Sequence, residues 1–416
     1  MSSSTSAPGG RRNILYVGGF ELPDRNAAAQ RVLAVGRLFR ELGYGSAFLG
    51  VDRELKHGTP VLSTRREAGG FPAWATPYPA GVRAWIHHLC EADAALELIR
   101  HLQADLAAVV AYNYPALALS VIQGACRRMG IPVVADATEW YSSDGGSPLF
   151  RLLKWADTTA RMRWVHPRCD GVIATSRYLH RFYATRIRHV VEIPTLCDAD
   201  ALGAIPPAAD AGNGDEVRMV YAGSPFDIRR LDRKRNCVKD RLDAVIGVLA
   251  RVAARAPAFR LDVFGLTQEN YLLAFPGHTD ALELLAGRLI FHGRRPHADI
   301  VGWIKRADFT IFLRSESRVT LAGFPTKFAE SLTAGIPVIT NPLENIRPYL
   351  RDGYNGFALP IEADPEQEEL LLRILSVSRE RRAALRENCR SDLMLDYRSL
   401  AAPVGAFLKS VTGERA

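Results

Sequence analysis

Lys327 and Glu330 stand three residues apart in Gly323-Phe-Pro-Thr-Lys-Phe-Ala-Glu330, which continues through Ser-Leu-Thr-Ala-Gly335 into Ile-Pro-Val-Ile-Thr340. The stretch reads as a Gly/Pro loop, a short helix closed by Gly335, and a strand. The first turn of such a helix aims free backbone N–H groups and the positive end of its dipole at whatever docks there, and Lys327 adds a full charge. Phosphate groups bind at sites of this kind. Glu330 shares a helical face with Lys327, so a cation for phosphate lies beside a carboxylate for sugar hydroxyls. That pairing is what a nucleotide-sugar site requires. An ordinary βαβ turn carrying a solvated Lys and Glu is written with the same residues.

The elements that must position this pair repeat along the chain. Asn13-Ile-Leu-Tyr-Val17 is an apolar run that ends in Gly18-Gly19 and predicts a first strand entering a Gly-rich turn. Ala27 to Leu42 follows at helical spacing and is closed by Gly43. Strand-like runs recur at Ala107–Val110, Pro132–Ala135, Gly171–Ala174 and Val190–Ile193. The alternation then restarts with Val217–Tyr221 and the Gly223 turn, a helix over Leu242–Ala254, and runs at Arg260–Phe264, Leu289–His292, Asp308–Leu313 and Val338–Thr340. Alternating strands and helices predict an α/β chain with two doubly wound, Rossmann-like domains, whose ligands bind at the C-terminal ends of the strands in a central cleft. The Pro/Ala stretch and Asn213–Asp215 read as a linker. The expected domains are 1–200 and 216–390, joined by 201–215, with 391–416 as a terminal helix; Glu387–Val411 carries the helical pattern.

Composition sets the outer limits. At 416 residues the chain exceeds what one core serves, and its 48% hydrophobic and 24% charged content is that of a soluble globular protein. No apolar run is long enough to span a membrane, and the first residues lack the apolar core of a signal peptide. Six widely spaced cysteines without a CxxC pair indicate neither zinc nor a disulfide framework and are read as reduced and cytoplasmic. Residues 1–195 hold 23 Lys and Arg against 16 Asp and Glu; the remainder holds 30 against 29. The first half therefore attracts anionic lipid or a phosphate-bearing acceptor, or is simply arginine-rich by habit; both readings stand. No reader motif accompanies the charge, so nucleic acid is not an expected partner.

In chain order the residues run from the Gly-rich first turn to Val220-Tyr-Ala-Gly223-Ser, Lys239-Asp240, Phe291-His-Gly293, Ala307-Asp-Phe-Thr310 and Gly323-Phe-Pro-Thr-Lys-Phe-Ala-Glu330. This order resembles the retaining nucleotide-sugar glycosyltransferases of family 4 (glycosyl transferases group 1), which have the GT-B fold. The resemblance covers nearly the whole chain, with its specific motifs in the second half. It implies that Glu330 holds the donor ribose and that Lys239 and Lys327 meet the donor diphosphate. Backbone groups of Gly323, Phe324, Pro325 and Thr326 would lie along the diphosphate and sugar. Gly223 and Ser224 would form the turn beneath the donor, Gly293 and Arg294 would lie against the base, and Gly18 and Gly19 would let the first loop approach the diphosphate. The closing Tyr397–Leu408 segment is similar to the GT-B terminal helix that returns to the first domain.

Two positions depart from that pattern. The family's Glu eight positions before the ribose Glu is Ala322 here, and the Arg often found after the second-domain turn is Ser224. Arg314 is a replacement cation and Glu316 a replacement carboxylate; a basic run, Arg229-Arg-Leu-Asp-Arg-Lys-Arg235, lies between Ser224 and Lys239. On the acceptor side, Asp136 or Glu139 in Ala135-Asp-Ala-Thr-Glu139-Trp-Tyr141 would orient or deprotonate the acceptor hydroxyl, with Trp140 and Tyr141 able to stack on a sugar; capping of the next helix is the other reading.

The resemblance implies cation and N–H stabilisation of the departing diphosphate with no essential metal or other cofactor, the nucleoside-diphosphate sugar being a substrate. Asp198-Ala-Asp200 has metal-pair spacing but reads as a turn. The expected enzyme moves a sugar to a glycan or lipid-linked acceptor for a bacterial surface polysaccharide or glycoconjugate. A non-catalytic sugar-nucleotide-binding subunit and a GT-B nucleotide-sugar epimerase are the alternatives. Pro148-Leu-Phe-Arg-Leu-Leu-Lys-Trp155, continuing to Arg161, Arg163 and Trp164, and the stretch from Trp74 to Trp85 fit either helices packed on their own sheet or an interface with the inner face of the cell membrane.

Overall fold

The computed structural model describes residues 13–23, 25–79, 81–140, 148–209, 216–226 and 239–413. Tyr141, the 210–215 part of the expected linker and the basic run at 229–235 lie outside them. The chain forms two compact units, Met1–Leu196 with Tyr397–Ala416, and Cys197–Asp396.

The first unit is built on eight strands: β1 (Asn13–Gly18), β2 (Gly45–Asp52), β3 (Arg66–Ala68), β4 (Phe71–Pro77), β5 (Leu106–Tyr112), β6 (Val133–Ala137), β7 (Gly171–Ala174) and β8 (Val190–Glu192). They lie in the order β3-β4-β2-β1-β5-β6-β7-β8 and are parallel except for the edge pair β3–β4. β1 buries Ile14, Leu15, Tyr16 and Val17 completely because helices cover both sheet faces, so its sequence is a continuous apolar run. The helix Ala27–Glu41 starts where the Asn26 side chain accepts from the Ala29 N–H, and nine of its residues are buried. β2, β3 and β4 are absent from the sequence reading. β2 carries Gly45 and Gly50, which dilute the apolar signal. Gly50 is required by packing, since a Cβ there would stand 2.4 Å from the Phe20 carbonyl oxygen.

The second unit has β9 (Val217–Ala222), β10 (Phe259–Phe264), β11 (Leu289–Gly293), β12 (Phe309–Ile311), β13 (Val338–Thr340) and β14 (Gly356–Ala358), all parallel, in the order β11-β10-β9-β12-β13-β14. This is the doubly wound dinucleotide-fold order, with its reversal between β9 and β12. Its core joins Val217, Met219, Leu261, Phe309, Ile311 and Val338 from the strands to the helices around them.

The continuous terminal helix expected over Glu387–Val411 is two helices. Arg379–Asp392 ends at Leu393, which adopts a left-handed conformation with φ +41°, and Ala401–Thr412 begins after a 3-10 turn at Tyr397–Leu400. The apolar residues on both sides of this break belong to different cores, Leu395 to the second unit and Val404, Phe407 and Leu408 to the first. The unit boundary falls between Leu196 and Cys197, ahead of the expected linker, and Ala199–Ala204 is a helix of the second unit. Asp198 is its N-cap, accepting from the Ala201 N–H.

A buried ion pair ties the first unit together. Arg31, on the helix after β1, donates from Nη2 to Asp136 Oδ1 at 2.8 Å and from Nε to Oδ2 at 3.2 Å. Its Nη1 reaches Thr175 Oγ1 at 3.0 Å and the carbonyls of Ile193 and Pro194 at 2.9 Å. The Tyr16 hydroxyl donates to Asp136 Oδ2 at 2.5 Å. The Asp136 carboxylate is fully buried and its guanidinium partner nearly so. This corrects the expectation of Asp136 as an acceptor-side base. A carboxylate sealed in the core, with both oxygens held by Arg31 and Tyr16, has no access to an acceptor hydroxyl from solvent.

Replacing one partner of such a pair strands the other charge. Asp136→Ala is expected to destabilise the first unit by about 3–5 kcal/mol, and the double change Arg31→Met with Asp136→Leu by much less. Urea unfolding of the purified variants checks this; a single-variant loss below about 1 kcal/mol would make the pair incidental.

Candidate functional site

Three glycines make the floor of the site. β9 and β10 run directly into Gly223 and Gly265 and β11 ends at Gly293, with the Gly223 N–H donating to the Phe264 carbonyl at 3.0 Å and the Gly265 N–H to the Gly293 carbonyl at 2.8 Å. Gly265 has φ +108°, and a Cβ on it would stand 2.4 Å from the Gly223 carbonyl oxygen. Gly223 has φ +141°, and its Cβ would lie 2.8 Å from Lys327 Nζ. The lysine amine occupies the space that a side chain at 223 would fill, which is why this turn needs glycine.

Above this floor, Asp240 gathers the cations. Lys327 Nζ donates to Asp240 Oδ2 at 2.5 Å and Arg314 Nε to Oδ1 at 2.8 Å. The Tyr221 hydroxyl donates to Oδ2 at 3.3 Å, and Lys327 Nζ stands 4.1 Å from the centroid of the Tyr221 ring. Burial works to raise the Asp240 carboxyl, but Lys327 and Arg314 overcome it and hold the group at about 2. Burial lowers the Lys327 amine while Asp240 acts to raise it, and the balance falls below the ordinary lysine value. Arg314 is fixed just past β12 by Asn341, whose Oδ1 accepts from the Arg314 N–H and whose Nδ2 donates to the Arg314 carbonyl, both at 2.8 Å. The cations therefore stand at the reversal point between β9 and β12, where sheets of this order bind ligands.

The helix carrying Lys327 and Glu330 spans Thr326–Thr333 and is anchored by buried Phe328 and Ala329. Its N-cap is Pro325, which provides no side-chain cap for the first turn. The preceding helix, Arg318–Ala322, is set by a capping box between Ser317 and Thr320 and closes at Gly323. Asn345 Nδ2 donates to the carbonyls of Thr320 and Gly323, pinning this joint. Phe324 packs edge-on against Phe328 and Tyr349. The position eight before Glu330 is Ala322, which is fully buried and brings no carboxylate to the site. Glu330 Oε1 accepts from His297 Nε2 at 2.8 Å; His297 opens the helix His297–Arg306.

Of the expected donor residues, Gly223, Arg314, Lys327 and Ser224 lie along the ends of these strands. Ser224 Oγ donates to the Gly265 carbonyl at 3.2 Å and so braces the turn. Thr326 is half-buried, while Lys239 and Arg294 are exposed beside Asp240 and Gly293. Gly18 and Gly19 belong to the first unit. A Cβ on Gly18 would meet Tyr112 Cβ at 2.7 Å, whereas Gly19 has open space around it. Sequence reasoning missed Asp240, Tyr221 and His297. Asp240 was visible as the acid next to Lys239, but its two cationic partners are 74 and 87 residues away.

The first unit has a cavity of about 660 Å³ lined by Gly18, His57, His87, His88, Glu91 and Tyr114. His87 Nδ1 pairs with Glu91 one helical turn on. Burial lowers the His88 imidazole below its ordinary value, against the pull of Asp157. The acceptor-side residues expected from sequence lie elsewhere. Trp140 is buried edge-on against Phe182 at 4.9 Å, so it is a core residue and not a stacking platform. Glu139 is half-buried past the end of β6. The legible signal for the cavity was His87-His88 with Glu91 four residues after His87.

Residues 235–392 match the profile of the family glycosyl transferases group 1. A search of curated protein sequences returns no match. Among solved structures, the Anabaena protein HepE in complex with UDP and glucose is similar at 14% identity and a TM-score of 0.59, covering 96% of this chain and all of that one. Sucrose-phosphate synthase from Thermosynechococcus elongatus gives 14% identity and a TM-score of 0.66, covering 97% of this chain and all of that one. The lipopolysaccharide outer core galactosyltransferase WaaB in its apo form gives 13% and 0.57, covering 94% and 99%. The two parallel-sheet units are those of the GT-B fold.

Asp240 gives the site a pH signature. An unfolded aspartate titrates near 4 and this one at about 2, so its contribution is complete above about 4 and is lost as pH falls through about 2. Asp240→Asn should be less stable than the parent by on the order of 2 kcal/mol at neutral pH, with the gap closing toward pH 2. Denaturant melts at a series of pH values test this; a gap that does not change with pH would show that the carboxylate's charge is not what stabilises the unit.

Proposed function

We propose that this GT-B chain, whose second unit carries the glycosyl transferases group 1 domain, transfers a sugar from a nucleoside-diphosphate sugar to a glycan or lipid-linked acceptor. The observation that supports this reading is the convergence of Lys327 and Arg314 on one carboxylate, beside a helix start without a side-chain cap and with Glu330 on the same helix. Glu330 takes the ribose hydroxyls, held in place by His297. The diphosphate lies against the first turn of the Thr326–Thr333 helix, where backbone N–H groups and the helix dipole favour anions.

Asp240 acts as a resident counter-ion. It keeps the two cations in position before the donor arrives, so their burial is already compensated and no reorganisation is needed as charge develops. When the bond between the anomeric carbon and the phosphate oxygen breaks, its electron pair stays on the diphosphate. Lys327, Arg314 and Lys239 stabilise that charge. The acceptor hydroxyl attacks the anomeric carbon from the same face and passes its proton to a departing phosphate oxygen, giving retention. The reaction needs no metal in this reading, because the protein's own cations meet the leaving group. The cavity with His57, His88 and Glu91 receives the acceptor. The product is a bacterial surface polysaccharide or glycoconjugate.

Buried Ala322, in place of a donor-sugar carboxylate, favours one other reading, a subunit that binds the sugar nucleotide without turning it over. Measurable release of diphosphate from the donor removes it.

The test is a calorimetric panel of UDP, GDP, ADP, TDP and NAD. One nucleoside diphosphate should bind and NAD should not. Lys327→Ala and Glu330→Ala should each weaken that binding by about ten- to a hundredfold, the value of a lost charge-assisted hydrogen bond. Unchanged affinity in both variants would place the donor elsewhere.

A further inference from the structure

The helix Pro148–Ala160 is turned inside out. Leu149, Leu152, Leu153 and Ala156 repeat at i, i+3, i+4 and i+7, the spacing that normally marks the face packed on a core. All four are exposed, with Leu149 at 65% and Leu152 at 59%, and of the helix's side chains only Thr158 is buried. Trp155 is 56% exposed on the same helix, and Trp164 58% exposed just beyond it.

The neighbouring elements extend the face. The helix Ala116–Met129 exposes Leu117 and Val121, and the helix Gly81–Cys90 exposes Trp85 and Ile86. The Trp85 and Phe150 rings meet edge-on at 5.9 Å. Among the described residues eleven large apolar side chains are exposed; eight lie on these three helices and a ninth, Trp164, just past the last of them. Exposed Arg151, Arg163 and Arg168 fringe them. The acid of this stretch, Asp157, is committed to the Ala116 N–H at 2.8 Å.

We infer that this face docks on an anionic lipid bilayer. Leucines inserted at the acyl boundary, tryptophans at headgroup level and arginines on lipid phosphates are the chemistry of an interfacial surface. A second copy of the chain fits less well. A two-fold contact would set the same arginine fringe against itself, on a half-chain that carries 23 basic against 16 acidic residues.

The face also bears on the acceptor. The Gly81–Cys90 helix is shared, since His87 and His88 line the first-unit cavity while Trp85 and Ile86 belong to the exposed face. Given the proposed transfer reaction, on which this step rests, the acceptor drawn into that cavity is membrane-borne, a polar head on a lipid anchor.

Sedimentation with phosphatidylcholine vesicles, with and without about one third phosphatidylglycerol, tests the inference. The protein should pellet with the anionic vesicles. Leu152→Glu with Trp155→Glu should lower that partitioning by about tenfold or more while nucleoside-diphosphate affinity is unchanged. Leu273→Glu with Leu284→Glu, on the second unit, should pellet as the parent does. Failure of the parent to pellet, equal binding to neutral vesicles, or full binding by the Leu152/Trp155 variant overturns it. So does a parent dimer by light scattering that the variant dissociates without any vesicle binding. Calorimetry on the same samples separates the two readings: vesicle binding without nucleotide affinity sinks the donor site and leaves this face standing.

Discussion

The second unit depends on a single carboxylate. Lys327 and Arg314 come from separate elements at the ends of the strands, and both are largely withdrawn from water. Two like charges in that position would repel each other and lose hydration with nothing in return. Asp240 makes the arrangement stable, and Tyr221 supplies a further hydrogen bond to it. Its requirements spread outward. Gly223 must lack a side chain so that the amine can sit there, and Gly265 must lack one so that the Gly223 carbonyl can pass. Asn341 must clamp Arg314 from both its N–H and its carbonyl.

The first unit contains the same kind of assembly at a different depth. Tyr16, Asp136 and Arg31 parallel Tyr221, Asp240 and the two cations, each with a tyrosine from the unit's first strand donating to the acid. The outcomes differ because of what else is satisfied. Arg31 spends its remaining donors on Thr175 and on the carbonyls of Ile193 and Pro194, so the network closes inside the core and serves stability. The Asp240 cluster sits where the strands end, on a floor of glycines, beside a helix start that lacks a side-chain cap. A buried ion pair is weak support for stability and a common device for holding groups in register, and the two units divide these uses between them.

The outward face of the first unit follows a different constraint. Apolar side chains at helical spacing lower the free energy only when something covers them. Across Gly81–Cys90, Ala116–Met129 and Pro148–Ala160 the fold leaves them at the surface, with arginines at the margin. The placement of His87 and His88 on the cavity side of the same helix that exposes Trp85 and Ile86 links this surface to the place proposed for the acceptor.

Much of this was legible in the residues. Buried parallel strands are continuous apolar runs, so β1, β7, β9 and β10 were found nearly to the residue, and the Gly turns after them marked the ligand edge. The short helix behind Gly323 was legible because glycine, proline and Gly335 punctuate it. β2 was missed because one of its glycines, Gly50, answers to Phe20 in another part of the chain, and the terminal helix was joined across Leu393 because periodicity does not register a change of core. The sequence by itself determined two doubly wound α/β domains and a cation beside a carboxylate at a helix start, since these rest on local spacing. Only the tertiary structure decided that Asp136 is sealed and Asp240 is the hub, and that the leucine stripe after Pro148 faces outward. Those outcomes depend on which distant side chains arrive to neutralise a charge or cover a face, and spacing along the chain carries no record of that.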